Sequence, residues 1–269
     1  MTIPERLMRI LRTCEADEGS RFPPTEIFNE GWMLRLVLDA TQSLGLQKQQ
    51  LGFVDDARWY SEALMSSPFR PRAKADPLAE GFTNADAVIG DFEFRATTKA
   101  GLWLSPGCRQ FVVVEAKMFS NLSLGTKNAP AYNQAARNVA CMAAAIAQSA
   151  RSSADFESLG FFVIAPKPER RRPGFSNLET SVDPDAIRLA VDQRIAAYAA
   201  GGRPETAELR EWEAAHFIPL VDSLAERGRL AVLSWEDCIE HIGVADPLAG
   251  AELERFYDRC LTYAPHQQA

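Results

Sequence analysis

The most informative residues of this chain are an acid and an amine within one apolar segment, Val113-Val-Glu-Ala-Lys117. The segment is typical of a buried central strand. On a strand, residues two apart face the same side, so Glu115 and Lys117 project together. Charged side chains are rarely buried in such a strand unless they are paired or functional. The pair is therefore either an ion pair at a strand end or part of a catalytic site.

A second acid, Asp86, directly precedes another strand-like run. If the two segments form a hairpin turning near residues 100–101, paired positions sum to roughly 202. Asp86 then lies opposite Ala116 and beside both Glu115 and Lys117, so that two carboxylates and an amine meet at one end of the sheet. Hard divalent cations prefer oxygen ligands, and Mg²⁺ binds one or two carboxylates together with water and substrate phosphate. The spacing therefore predicts a metal site.

A competing arrangement stays open. If Leu102–Leu104 forms a separate middle strand, the two outer strands run parallel and Asp86 lies far from Glu115. Asp91 or Glu93 would then be the better partner of Glu115. We favour the hairpin, and therefore Asp86.

Asp86 followed by Glu115-Ala-Lys117 resembles the core of the PD-(D/E)XK, or restriction-endonuclease-like, nuclease superfamily. In that superfamily an Asp on one strand and an (Asp/Glu)-x-Lys on the next bind Mg²⁺ and activate water against a phosphodiester. The chain departs from the pattern at Ala85, which stands where the family motif has proline. The resemblance spans roughly residues 25–165. It implies that Asp86 and Glu115 are catalytic ligands of Mg²⁺ or Mn²⁺, and that Lys117 is catalytic as well.

The resemblance extends to two flanking segments. A glutamate on the first helix is common in these folds, and Glu30 occupies such a position, with Glu26 one turn earlier. The helix after the Glu-x-Lys strand often carries a polar pair. Here that pair is Gln134 and Arg137, which are three apart and so share one helical face. The resemblance implies that Glu30 joins the metal ligands, that Gln134 acts in catalysis and that Arg137 contacts nucleic acid.

Basic residues elsewhere are candidates for contacts with a phosphate backbone. One is Lys127, in the polar loop before the helix that carries Gln134. The others directly follow a strand-like run and are Arg170, Arg171 and Arg172. Charge runs are more often solvated loops, so these residues matter only if the acidic site binds nucleic acid.

The pattern of the whole chain predicts an α/β fold, with a mixed central sheet flanked by helices. Predicted helices cover residues 24–44, 55–65, 130–149, 183–227 and 248–263. Predicted strands cover residues 87–95, 111–117, 161–165 and 230–235. We expect one nuclease-like domain over residues 1–269. Its restriction-endonuclease-like core covers about 25–165 plus the strand at 230–235, with an added helical segment at about 183–227.

Composition narrows the class of protein. The chain has 269 residues, of which 46% are hydrophobic and 24% charged, which excludes wholesale disorder and fibrous repeats. No apolar run approaches the ~20 residues of a membrane helix, and the start lacks the layout of a signal peptide. We therefore expect a cytoplasmic protein with no membrane association. Five scattered cysteines argue against a disulfide framework or a thiolate zinc site. No P-loop, dinucleotide or α/β-hydrolase motif is present.

These observations predict a Mg²⁺- or Mn²⁺-dependent nuclease that hydrolyses phosphodiester bonds, with DNA favoured over RNA. The alternative is a non-catalytic module of the same fold that binds nucleic acid or protein. Hydrolysis of a small phosphoester would use the same site. The net charge of −7 predicts that the protein binds DNA weakly without metal and that this binding is strongly sensitive to salt. We expect a homodimer, because cutting both strands usually needs two sites, or a protein partner that delivers the substrate.

Overall fold

A five-stranded mixed sheet forms the centre of the fold in a computed structural model of the chain. The structure describes residues 2–15, 21–47, 49–71, 76–96, 101–125, 129–171, 175 and 178–263. The strands stand side by side in the order β1 (Arg58–Ser66), β2 (Phe82–Gly90), β5 (Gln110–Ala116), β6 (Ser158–Ala165) and β7 (Leu230–Ser234). Two shorter strands, β3 (Phe92–Phe94) and β4 (Leu102–Leu104), pair with each other in a separate ribbon.

The two halves of the sheet differ in strand direction. β1, β2 and β5 are antiparallel neighbours, whereas β5, β6 and β7 run parallel. Parallel neighbours need long crossover connections, and helices provide them here. Every residue of β5 is buried, as expected for a strand covered on both faces. The C-terminal ends of β5, β6 and β7 consequently meet at one edge of the sheet.

Helices cover both faces of the sheet. The helices of the described ranges are α1 (Ile3–Glu15), α2 (Glu30–Ser43), α3 (Gln134–Gln148), α4 (Leu178–Ser181), α5 (Pro184–Ala200), α6 (Glu205–Trp212), α7 (Ile218–Glu226), α8 (Trp235–Ala245) and α9 (Pro247–Thr262). α2, α8 and α9 bury one face, which includes Val112 and Val114. α3, α5 and α7 bury the other face, which includes Phe111 and Val113. The predicted α/β class, with a mixed sheet flanked by helices, is confirmed.

The segment at 183–227 is helical, as predicted. α5 ends before Gly202, whose φ of 63° is the left-handed conformation that glycine adopts readily. A π-helical turn at Glu213–Phe217 joins α6 to α7, and Pro219 stands in the first turn of α7, where proline is tolerated. Across the described ranges, no helix has both the length and the apolar character needed to span a membrane.

The prediction of a helix at 55–65 is wrong, because these residues contribute most of β1. Tyr60, Leu64 and Met65 fit a helical spacing, but pairing with β2 along the whole strand decides the conformation. The alternation of buried Ala63 and Met65 with less buried neighbours is the period of a strand. β1 is an edge strand, so its apolar pattern is the weakest in the sheet.

The hairpin arrangement of β2 and β5 is confirmed, and the competing arrangement is wrong. Leu102–Leu104 is a strand, but it pairs with β3 outside the central sheet. β2 and β5 are therefore direct antiparallel neighbours. The register differs by one residue from the predicted one. Ala87 pairs with Val114, so Asp86 comes level with Glu115 rather than with Ala116.

Candidate active site

Glu115 and Lys117 lie where β5 ends. The side chain of Glu115 is fully buried and that of Lys117 is 8% exposed. The ammonium Nζ of Lys117 donates to Oε2 of Glu115 at 3.3 Å. The backbone of Lys117 is held on both sides. Its N–H donates to the carbonyl of Ile164 on β6 at 2.8 Å, and its carbonyl accepts from the indole N–H of Trp235 at 3.0 Å. The charged pair is therefore fixed by the sheet and by the first residue of α8.

Asp86 reaches the same point from β2. Its Oδ2 accepts a hydrogen bond from the backbone N–H of Ala116 at 2.7 Å and lies 3.9 Å from Nζ of Lys117. Its side chain is 25% exposed, which makes it the most accessible of the three charged groups. The structure thus brings together Asp86, Glu115 and Lys117, the residues expected to form the reactive centre.

Two side-chain amides from α3 hold the carboxylate of Glu115. Gln134 donates from Nε2 to Oε2 at 2.6 Å, and Asn138 donates from Nδ2 to Oε1 at 2.6 Å. α3 begins at Gln134 because the side chain of Asn133 caps it by accepting from the N–H of Ala136. The two amides are four residues apart and so share a helical face. Asn138 was missed in the sequence, although this spacing from Gln134 is a signal that could have found it.

Substituting Asn138 with alanine should lower the free energy of unfolding by about 1–3 kcal/mol, because Oε1 of buried Glu115 then loses a donor. Urea unfolding followed by tryptophan fluorescence measures this change. The matched control is Asn84→Ala, which removes an exposed amide that donates to Glu62 at 2.7 Å. That variant should change stability by less than about 0.5 kcal/mol. Equal effects of the two substitutions would contradict the role given to Asn138.

Glu30 approaches the site from α2. The side chain of Asn29 caps this helix by accepting from the N–H of Trp32, so Glu30 is the first helical residue. Its Oε2 accepts from the backbone N–H of Met118 at 2.8 Å, one residue beyond Lys117. Burial raises the pKa of Glu30, and the Lys117 ammonium opposes that rise. Glu30 therefore lies next to the reactive centre.

The electrostatics of the site favour a bound cation. Burial raises the pKa of Glu115 well above its usual range, and the neighbouring charge of Asp86 raises it further. The Lys117 ammonium and the Asn138 amide act in the opposite direction. Two acidic groups in one partly dry site repel each other when both are ionised. A divalent cation between them would remove that repulsion and favour both charged forms.

The donor set fits Mg²⁺ or Mn²⁺ with few protein ligands. Among the described residues, no three His, Cys, Asp or Glu side chains lie close enough together to hold a metal ion. Mg²⁺ does not need three, because it commonly uses one or two carboxylates and completes its shell with water and substrate oxygens. Asp86 and Glu115 supply that pair. Glu30 is a candidate for a water-mediated ligand, since the charges of both Asp86 and Lys117 affect the pKa of its carboxyl group.

Arg137 lies beside the site but is engaged within the protein. Its Nη2 donates to the hydroxyl of Ser123 at 2.6 Å, and its Nη1 stands 3.7 Å from Oε1 of Glu80. Ser123 also contacts Gln134. The backbone N–H of Ser123 donates to Oε1 of Gln134 at 3.1 Å. These contacts tie the loop before α3 to the amide that binds Glu115. The Nε of Arg137 is buried and has no acceptor among the described residues, so this network satisfies the guanidinium only in part.

The basic run after β6 lies at the same edge of the sheet as the site, but acidic partners hold it. Arg170 is 3.2 Å from Asp258 and 3.6 Å from Glu236. Arg171 donates to the carbonyl of Pro166 and pairs with Glu179 at 3.1 Å. A nucleic acid would have to compete with these acids for the guanidinium groups.

The remaining candidates lie elsewhere or outside the described residues. Asp91 accepts from the hydroxyl of Ser105 at 2.9 Å, where β2 leads into β3, at the opposite end of β2 from Phe82. It makes no described contact with Glu115. Glu93 lies on β3, in the separate ribbon. Lys127 and Arg172 fall outside the described residues.

Comparison with known proteins identifies no relative. No family model, no curated protein and no solved structure matches the chain. The chemistry assigned to the chain therefore rests on the site itself.

Proposed function

We propose that the protein is a metal-dependent phosphodiester hydrolase that acts on nucleic acid, with DNA favoured over RNA. The observation that carries this proposal is the meeting of Asp86, Glu115 and Lys117 at one strand end. Two carboxylates that repel each other when both are ionised, beside a nearly buried ammonium, contribute little to stability on their own. They suit a site that takes up a divalent cation and an anionic substrate.

Each residue has a distinct role in this proposal. Asp86 and Glu115 hold the cation, and Gln134 and Asn138 fix the carboxylate of Glu115 so that its lone pairs keep one orientation. When bound, the cation supplies a positive charge that polarises a phosphate and lowers the pKa of a water molecule. Lys117 faces the scissile phosphate or the attacking water, and stabilises the negative charge that develops there.

The charge of the protein indicates how a nucleic acid would bind. The formal net charge of −7 and the internally paired arginines provide little non-specific attraction for a polyanion. We infer that productive binding depends on the metal, and that a second copy of this chain or a protein partner contributes further contacts. A homodimer would also supply the second site that cleavage of both strands requires.

Metal binding tests the proposal independently of any substrate. Calorimetric titration with Mn²⁺ should show one saturable site, and Asp86→Asn should weaken it at least about tenfold, since loss of even an outer partner of a metal ligand costs that much. Asp91→Asn is the matched control and should leave the affinity unchanged, because Asp91 contacts Ser105 instead. EDTA should abolish cleavage of plasmid DNA by the unmodified protein.

One observation favours the alternative, a binding module without chemistry. Both carboxylate oxygens of Glu115 already accept hydrogen bonds from side chains of the protein, and the group is fully buried. Such a carboxyl could serve as a structural anchor for α3. Absence of Mn²⁺ binding between micromolar and millimolar concentrations, together with retained DNA binding, would establish this alternative and reject the nuclease.

A further inference from the structure

A small cavity lies apart from the carboxylates, between α5 and the loop that enters α3. Its volume is about 210 Å³. Residues 129–132 form one wall, and α5 forms the other with Ala190, Gln193, Arg194 and Ala197. The lining is apolar except for Gln193, Arg194 and Tyr132. Arg194 is its only charged residue, and it is only 4% exposed.

Arg194 has fewer partners than a buried guanidinium requires. Its Nη2 donates to the carbonyl of Leu78, an oxygen that also accepts from the hydroxyl of Tyr198 at 2.7 Å. Its Nε and Nη1 are buried and find no acceptor in the described part of the chain. The guanidinium lies 5.4 Å from the ring centre of Phe69 and 5.7 Å from that of Tyr132. Aromatic rings attract a cation, but they do not accept its N–H groups as a carboxylate or phosphate does.

The nearest acids of the described structure pair with other cations, although Oδ2 of Asp76 is buried without a partner within the described ranges. The charge of Arg194 opposes the rise that burial causes in the pKa of Glu80. Glu80 itself pairs with Arg137 at 3.7 Å and accepts from Ser67 at 3.3 Å. No described carboxylate stands within ion-pair distance of Arg194. Asp76 pairs instead with Arg203, whose Nη2 is 2.6 Å from Oδ1 of Asp76. The hydroxyl of Tyr132 is likewise buried and lacks a partner within the described ranges. Two residues that line one cavity thus both carry unpaired polar atoms.

We propose that this cavity binds a small oxyanion, a carboxylate or a phosphate, through Arg194 and Tyr132, with a small shift of these two side chains that turns their covered N–H and O–H groups toward the ligand. Buried polar groups normally have partners, and a buried charge without one is strongly unfavourable, so an anion offers what the chain does not. The volume sets the size of the ligand. Pockets for drug-sized molecules and cofactors measure roughly 300–1,000 Å³, so this cavity suits an inorganic anion or a short carboxylic acid rather than a nucleotide.

The site is separate from the proposed metal centre, and the inference does not depend on nuclease activity. Tyr132 nevertheless stands two residues before Gln134, whose amide holds Glu115. An anion bound to Tyr132 would fix the loop at the entry to α3.

Thermal unfolding in sodium phosphate and in sodium acetate, against sodium chloride of equal ionic strength and without divalent metal, tests the site. At least one of the two anions should raise the melting temperature saturably, as expected for a ligand that binds only the folded protein. Arg194→Met should weaken that binding at least about tenfold, because a charged hydrogen-bond donor is lost. The matched control is Arg188→Met on the same helix, which removes an arginine paired with Asp185 and Asp222. That variant should bind as the unmodified protein does.

Tyr132→Phe provides a second test that keeps the packing. It removes only the hydroxyl and should weaken binding by about fivefold, so it decides the matter if Arg194→Met fails to fold. A response to phosphate alone or to acetate alone supports the site and names its ligand class. No saturable stabilisation by either anion overturns the proposal, as does equal binding by both cavity variants and the unmodified protein.

Discussion

Replacing Lys117 with methionine is expected to slow the proposed metal-dependent cleavage of DNA by about 100- to 1,000-fold, the usual loss when a positioned group that stabilises developing charge is removed. Methionine keeps the length and apolar stem of the side chain but not its charge. The ammonium is 3.3 Å from Glu115 and 3.9 Å from Asp86, so it lies where an anionic substrate would meet the metal ligands. Affinity for DNA should fall far less than the rate, because one cation among many contacts is lost.

The matched control for this experiment is Arg109→Met. Arg109 directly precedes β5, at the opposite end of the strand from Lys117, and pairs with the exposed Glu157. Its loss removes one positive charge next to the start of β5, away from the carboxylates. Circular dichroism and melting temperature should show that both variants fold. A Lys117→Met rate within about threefold of the unmodified protein would be too small a change for a catalytic ammonium and would reject its role.

Replacing Gly90 with alanine should lower the free energy of unfolding by about 2–3 kcal/mol, which is the upper range for overpacking a tight site. A Cβ at this position would lie 2.3 Å from the backbone carbonyl oxygen of Gln110. That oxygen cannot rotate away as a side chain could, because Gln110 begins β5 and Gly90 pairs with Phe111. Relief therefore requires the two strands to separate. Differential scanning calorimetry should show a melting temperature lower by roughly 5–10 °C.

Gly107→Ala is the control for the Gly90 variant. Gly107 lies in the turn that leads into β5, and a Cβ there would meet nothing within 4 Å. Its substitution should leave stability within about 0.5 kcal/mol of the unmodified protein. If Gly90→Ala is equally harmless, β2 and β5 do not approach each other as closely as described. The register that brings Asp86 level with Glu115 would then need revision.

The meeting of Asp86, Glu115 and Lys117 could be predicted because strand period and hairpin pairing determine it. The period of a strand places Glu115 and Lys117 on one face, and a hairpin brings Asp86 beside them. The error of one residue in register came from the ribbon of β3 and β4. Because these two strands lie within the connection between β2 and β5, the length of that connection does not fix which residues of β2 and β5 pair.

The partners of these residues were harder to predict, because their roles arise from tertiary contacts. Asn138 is 23 residues from Glu115 in the chain, and its spacing of four from Gln134 places it on the same helical face without showing that this face meets Glu115. Glu80 follows a Pro-rich segment of the sequence, and its role as a partner of Arg137 depends on a contact between distant parts of the chain. The residues of β1 predict a helix because an edge strand has a weak apolar alternation, and pairing with β2 decides their conformation.

The hydrogen bond from Trp235 to Lys117 joins groups that are 118 residues apart in the chain. A ribosome makes the chain from the N-terminus, so Asp86, Glu115 and Lys117 exist long before Trp235 emerges. Until then the carbonyl of Lys117 lacks its indole donor, and β7, the parallel neighbour of β6, is also missing. A segment synthesised well after these three residues therefore completes their support, and a growing chain would expose Asp86, Glu115 and Lys117 before their surroundings are complete.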